Sequence, residues 1–323
     1  MASRHYLTTV ILAFAAGAGA QSEFLVADRT GDRVVRFNWP SATVIDHFVA
    51  TGVSALDDPA GIAVPGDGYV YVCGGWSDNV IRYDAETGEP GYPAFVGSGS
   101  GGLSRAFDLA FGPDGNLYVA SLANDRVLRY DGKTGAFMDT FVTQGLGGLD
   151  SPHSLIFDHQ GYLIVCSQAN AKLLRYKPDG AFDREIDTSG AQMADLQKVI
   201  IGADGSFYIA SLGTDTVVKV PPDEAAFTLV GGLDDPSGLS LDPDGNLLVA
   251  NWGGVGSIEK YNSDTGQFVE TVMSSLYAGM SGDLGTILFV PDRGEACRPD
   301  VDGNGVLDLF DFLQFFNEFA AGC

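Results

Sequence analysis

The stretch DVDGNGVLDLFD, Asp300 to Asp311, sets side-chain oxygens at positions 1 (Asp300), 3 (Asp302), 5 (Asn304), 9 (Asp308) and 12 (Asp311) of a loop. Gly305 stands at position 6, where such a loop must bend sharply, and Val306 at position 7 offers its backbone carbonyl. Hard oxygens at this spacing ligate Ca²⁺. An Asp/Asn/Gly-rich linker would not fill all five positions, so calcium is the expected cofactor of this loop.

A second set of chemically capable residues is spread through the chain. Asp108, His153 and Lys198 occupy comparable points of three successive repeat units. If those units converge, the three side chains can share protons, with His153 as the general base. A Ser154–His153–Asp108 triad is not expected, because neighbouring residues on a strand face opposite sides. The other histidines stand elsewhere: His5 near the N-terminus, His47 in an outer strand and His159 in a hairpin turn. Loops on the same side as Asp108 add Trp76, Gln168, Asn170, Asn251 and Trp252. Exposed Trp76 and Trp252 beside the amides of Asn170 and Asn251 suit sugar rings or peptide side chains. The plainer alternative is a set of ordinary polar residues rimming a water-filled channel.

The elements that position these residues repeat. Ala27, Cys73, Ala120, Cys166, Ala210 and Ala250 each end a short apolar strand, at steps of 46, 47, 46, 44 and 40 residues. A second strand recurs as RVVRF, VIRYD, RVLRYD, LLRYK, VVKV and IEKYN. A third precedes each pair and runs into a tight turn such as Gly112-Pro113-Asp114-Gly115 or Asp242-Pro243-Asp244-Gly245. Asp-Gly between apolar runs signals a hairpin, so these aspartates read as turn residues. A period in the forties with several strands per unit predicts an all-β, six-bladed β-propeller of four-stranded blades. The first copy lacks its preceding strand, and a spare one, Thr286 to Phe289, appears at the far end. Pairing of the two closes the ring and removes exposed edges. Gly61, Asp108, Ser154, Lys198, Gly238 and Thr286 then align on the inner strands. Arg82, Arg129 and Arg175 recur at one blade position and are expected to bond between blades.

Outside the ring, residues 1–20 read as a secretory signal peptide, with Arg4 and His5 before the apolar run Leu7 to Ala16 and cleavage after Ala20. The run is short of the ~20 apolar residues of a membrane span. The expected domains are therefore 1–20 signal, 21–292 propeller and 293–323 calcium-binding tail, in a secreted or cell-surface-attached protein. Formal net charge is −24. So acidic a chain, with no basic stripe, excludes nucleic acid and disfavours anionic membranes as partners. Cys73 and Cys166 follow strands where other copies carry alanine and read as small buried side chains. Cys297 and Cys323 bracket the tail, and a disulfide between them is plausible in an exported chain.

Motifs such as PDGNLYVA and DRVLRYD, over roughly Ser22 to Asp292, resemble those of NHL-type and virginiamycin B lyase-like propellers. The resemblance implies the fold; that superfamily includes lyases, lactonases and pure binding modules. The lyases assemble histidine and acidic residues around a channel metal, and here His153 stands alone, so lyase activity does not carry over. Asp108, Asn170 and Asn251 can imitate the calcium ligands of lactonase-type members. A second, channel metal would follow from that imitation alone. The tail resembles the short GC-type dockerin-like (EF-hand) tails of secreted planctomycete-type bacterial proteins. Ordinary dockerins carry two calcium repeats and this chain has one; attachment or sorting through a cohesin-like or cell-surface partner is what the likeness implies. Behind the loop, Leu309, Phe312, Leu313, Phe316 and Phe319 share one helical face, while Phe310 and Phe315 lie off it. So many aromatic residues call for a docking surface, on the propeller or on a partner. The leading reading is a secreted binding module for a protein or carbohydrate. The alternatives are a metal-dependent lyase or hydrolase at the channel mouth, and a scaffold in an extracellular assembly.

Overall fold

The computed structural model describes residues 22–290. The expected signal peptide, the calcium loop Asp300–Asp311, Cys297 and Cys323 lie outside the described residues.

Six antiparallel sheets make up the described chain. Blade 1 combines Leu284–Val290 with Glu23–Asp28, Arg33–Asn38 and Val44–Val49, from inner to outer strand. The C-terminal strand pairs with the first one, Phe24 opposite Phe289 and Leu25 opposite Leu288, which is the predicted closure of the ring. Blade 3 runs Ala106–Phe111, Leu117–Ser121, Arg126–Tyr130 and Phe137–Val142. Blades 4, 5 and 6 repeat this order, with inner strands Pro152–Phe157, Leu196–Ile201 and Pro236–Leu241. Blade 2 has three strands, Pro59–Ala63, Tyr69–Gly74 and Asn79–Asp84. Its fourth place is held by isolated bridges, Val80 with Val96 and Tyr83 with Pro90. Pro90 and Pro93 have no N–H to give to a ladder, which accounts for the missing strand.

The second strand of each blade is apolar on both faces because neighbouring blades cover both. Leu117–Ser121 is buried at every position, and so is Leu163–Ser167. Each hydrophobic cluster accordingly lies between two consecutive blades: Phe24, Val26 and Phe37 meet Leu248 and Ile258, and Tyr118 and Val127 meet Leu155 and Val165. Cys73 and Cys166 are buried in two such clusters and carry free thiols. Burial pushes both thiols well above the ordinary range.

Polar latches join the blades at one face. Asp32, Asp78, Asp125 and Asp215, each in the loop after a second strand, adopt the left-handed backbone that Asp and Asn tolerate. Their carboxylates accept the backbone N–H of Asp58, Arg105, Ser151 and Asp235, just before the next blade's inner strand. Asp125→Ala leaves the Ser151 amide unpaired and strains the loop, an expected loss of about 1–3 kcal/mol. Asp125→Asn keeps an acceptor and the tolerated backbone, and should lie within about 1 kcal/mol of the parent. Urea midpoints of the two variants check this.

Two expectations about surface residues resolve differently. The hairpin aspartates are turn residues, as predicted: Asp114 accepts from the Asn116 amide, and Asp242 from those of Asp244 and Asn246. The recurrent arginines bond within blades rather than between them. Arg129 sits directly across the ladder from Asp139 and pairs with it, and Arg175 pairs with Asp158 and Asp183 of its own blade. Arg82 covers the rings of Tyr69 and Phe95. Cross-strand neighbours are closer than the next blade, and they take the guanidinium.

Candidate functional site at the channel mouth

Every inner strand breaks register with its neighbour near its start: between Pro59 and Ile62, Ala106 and Leu109, Pro152 and Ser154, Leu196 and Lys198, Pro236 and Gly238, and Leu284 and Ile287. A bulge of this kind turns two consecutive residues toward the same side. Phe107 and Asp108, Gln197 and Lys198, and Gly285 and Thr286 therefore all line one cavity of about 20 Å³, together with His153 and Arg29. His153 and Ser154 nonetheless part company as expected: His153 lines this cavity, whereas Ser154 turns to Asp108 and Val199.

Asp108 is the hub of the cavity. Its side chain is 3% exposed and accepts from the Lys198 ammonium at 2.8 Å. Oδ2 also accepts from the Ser154 hydroxyl at 2.8 Å and from the Leu155 amide at 3.1 Å. Ser154 Oγ in turn accepts from the Val199 amide. Gly61 has to be glycine, since a Cβ there would come 2.7 Å from the Asp108 Cα. Asp108, Ser154 and Lys198 thus meet across three blades.

His153 stands apart from that network although it shares the cavity. Its Nδ1–H donates to the Gln197 carbonyl at 2.6 Å, and its ring lies 4.0 Å from that of Phe107. Burial, with Arg29, Lys198 and Arg105 adding repulsion, lowers its pKa to about 3. The imidazole is neutral, and Nε2 is its basic nitrogen. No Ser–His bond forms, so the triad is absent because both partners are already committed.

Residues not singled out from the sequence frame the mouth above this layer. Arg29 forks onto Asp58, Nε to Oδ1 at 2.8 Å and Nη2 to Oδ2 at 3.1 Å, with Asp283 3.8 Å away. Burial raises the Asp283 carboxyl, opposed by Arg29 and reinforced by Asp58 and Asp28. Arg105 lies 4.2 Å over the Trp76 ring, and Arg29 4.8 Å over Phe107. The signal for Arg29 was there to read: it stands where other copies carry Gly75, Leu122, Gln168, Leu212 and Trp252. Trp76 is 62% and Trp252 45% exposed. Their amides bond to Asp57 and Asp235, at the entries to the inner strands, so both rings belong to the mouth face. Asn170 ties its loop to the preceding connection through the Gly148 carbonyl, and Asn251 is buried beside Ser257. Neither lines the channel cavities. Among the described residues no group of three or more His, Cys, Asp or Glu is placed to hold a metal ion.

No family model matches the chain, and no curated protein does. Solved structures do. A structure of the nidogen/laminin complex contains a chain similar over 83% of this one and 98% of its own length, at 17% identity and a TM-score of 0.68. A streptogramin B lyase structure is similar over 65% of this chain and 67% of its own, at 14% identity and a TM-score of 0.54. Virginiamycin B lyase from Staphylococcus aureus, in a catalytically inactive histidine-to-alanine form with quinupristin, gives 14% identity over 65% of this chain and 68% of its own, and a TM-score of 0.53. At these identities the likeness shows the fold alone, and with the six sheets of the described chain that fold is a six-bladed β-propeller. One neighbour comes from a binding complex and the others are lyases.

Proposed function

We propose that the propeller is a secreted recognition module that binds a protein through its mouth face, and that the calcium loop of its tail serves attachment or sorting. The observation that carries this reading is the contrast between the channel and its rim. Inside, Asp108, Lys198 and Ser154 spend their polar groups on one another, and Arg29 spends its own on Asp58. Around the rim, Val53, Trp76, Trp252, Val255 and Leu276 are exposed on loops of three adjoining blades. Tryptophan and arginine are among the residue types enriched at interface hot spots, and here Trp76 and Arg105 are stacked together. An arc over three blades suits a protein surface better than a single sugar ring. The nidogen/laminin likeness agrees with this choice.

The test is a screen against arrays of extracellular proteins and of glycans, repeated with Trp76→Ala and Trp252→Ala. A protein ligand whose affinity falls about 30-fold or more with either substitution is expected, equivalent to a hot-spot loss of about 2 kcal/mol. A ligand indifferent to both substitutions would refute the assignment of the face.

The second reading, a lyase or hydrolase, has one observation in its favour: neutral His153 faces a cavity large enough for one water. If a reaction runs there, His153→Gln abolishes it while leaving mouth-face binding intact. For the tail, the expectation is that Cys73 and Cys166 resist a thiol reagent in the folded chain. Two thiols titrating in denaturant would support the proposed Cys297–Cys323 disulfide; four would contradict it.

A further inference from the structure

The opposite end of the channel opens into an apolar funnel of about 390 Å³. Half-buried Phe111, Ile156, Ile200, Ile201, Leu241 and Leu288 are among its walls. This volume lies in the range of ligand pockets, about 300–1,000 Å³. Its polar contributions come from Lys198, already paired with Asp108, and from Ser240 and Thr286. An apolar hollow of this kind on a soluble chain marks a docking site.

The chain leaves the ring at the funnel. Thr286, Ile287 and Leu288 line it, and the closing strand ends at Val290. The residues that follow include one with a matching surface. Leu309, Phe312, Leu313 and Phe316 fall at i, i+3, i+4 and i+7, the anchor spacing with which an amphipathic helix enters an apolar groove. The eighteen residues between Val290 and Leu309 reach a typical distance of about 25 Å at 5–6 Å × √n. Tethering over that distance gives an effective concentration of the order of millimolar, so modest contacts suffice.

We infer that the Leu309–Phe319 face docks into this funnel of its own propeller. The occupant is the chain's own tail, because the exit point, tether length and anchor spacing agree. Phe310 and Phe315 lie off that face and stay available to a partner. Docking therefore fixes the tail on the face opposite Trp76 and Trp252, so that attachment at one end presents the recognition face at the other. The inference does not rest on the mouth-face reading and survives its failure.

The test uses the full chain with Phe316 replaced by the photo-crosslinker p-benzoylphenylalanine. Irradiation is expected to give adducts within the same chain on the funnel wall, around residues 156, 200, 201 or 241, with a yield independent of protein concentration. Phe312→Ser, which leaves the ring untouched, should lower that yield severalfold. Adducts on a second copy, adducts elsewhere on the ring, or no adduct at all would overturn the proposal.

Discussion

Asp108→Ala is expected to remove about 3–5 kcal/mol of folding stability, the cost of breaking a buried ion pair from one side. The substitution strands the Lys198 ammonium, whose side chain is 15% exposed. It also unpairs the Ser154 hydroxyl and the Leu155 amide, both of which donate to the same carboxylate oxygen. Lys198→Met alone leaves the carboxylate with three neutral donors, Ser154 and the Leu109 and Leu155 amides, and should cost less. Combining Asp108→Leu with Lys198→Met recovers only part of the loss, because the three neutral donors remain unsatisfied. Urea midpoints at constant slope measure all three. A loss below about 1 kcal/mol for Asp108→Ala would mean that the channel hub is not the buried network described.

His153 sets the second large effect, on acid stability. Its folded pKa of about 3 lies below the unfolded value of 6.5. Between these values the unfolded chain binds the extra proton, so stability is full above about pH 6.5 and declines as pH falls toward 3. The whole gap amounts to roughly 4–5 kcal/mol, of which about 2 kcal/mol is lost between pH 7 and pH 5. Asp283, raised by burial, works in the opposite sense at lower pH. His153→Gln keeps an N–H for the Gln197 carbonyl and removes the titration, so it should flatten the decline. Urea midpoints at pH 7 and pH 5 for both chains decide the matter; equal pH dependence would contradict a buried, neutral His153.

The fold was legible because its determinants are local and repeated. Strands ending at Ala120 or Cys166, and turns such as Gly112-Pro113-Asp114-Gly115, can be aligned by eye, and the spare Thr286–Phe289 strand announces closure. The inner ring of Asp108, Ser154 and Lys198 followed from the same alignment. What did not follow depends on register and on distance. The bulges that bring Phe107 and Asp108, or Gln197 and Lys198, to one cavity leave no mark in residue type. Arg29 and Asp58 meet through the ring's curvature rather than through any motif. Asn251 aligned with the mouth loops but turns toward Ser257, because alignment fixes a loop position and not a side-chain direction. The absent fourth strand of blade 2 was written in Pro90 and Pro93, which the repeat pattern overrode.

The central proposal is a division of labour in which the ring would recognise its ligand without a metal and calcium would belong to the tail. Calcium titration calorimetry on the chain from Gln21 to Cys323, and on a chain ending at Asp292, tests it most directly. The shorter chain keeps every strand of the ring, including the closing strand Leu284–Val290. One calcium per full-length chain and none on the truncated ring is the predicted result. Calcium retained by the truncated ring would contradict it, and would return Asp108 and the channel mouth to the position of a catalytic centre.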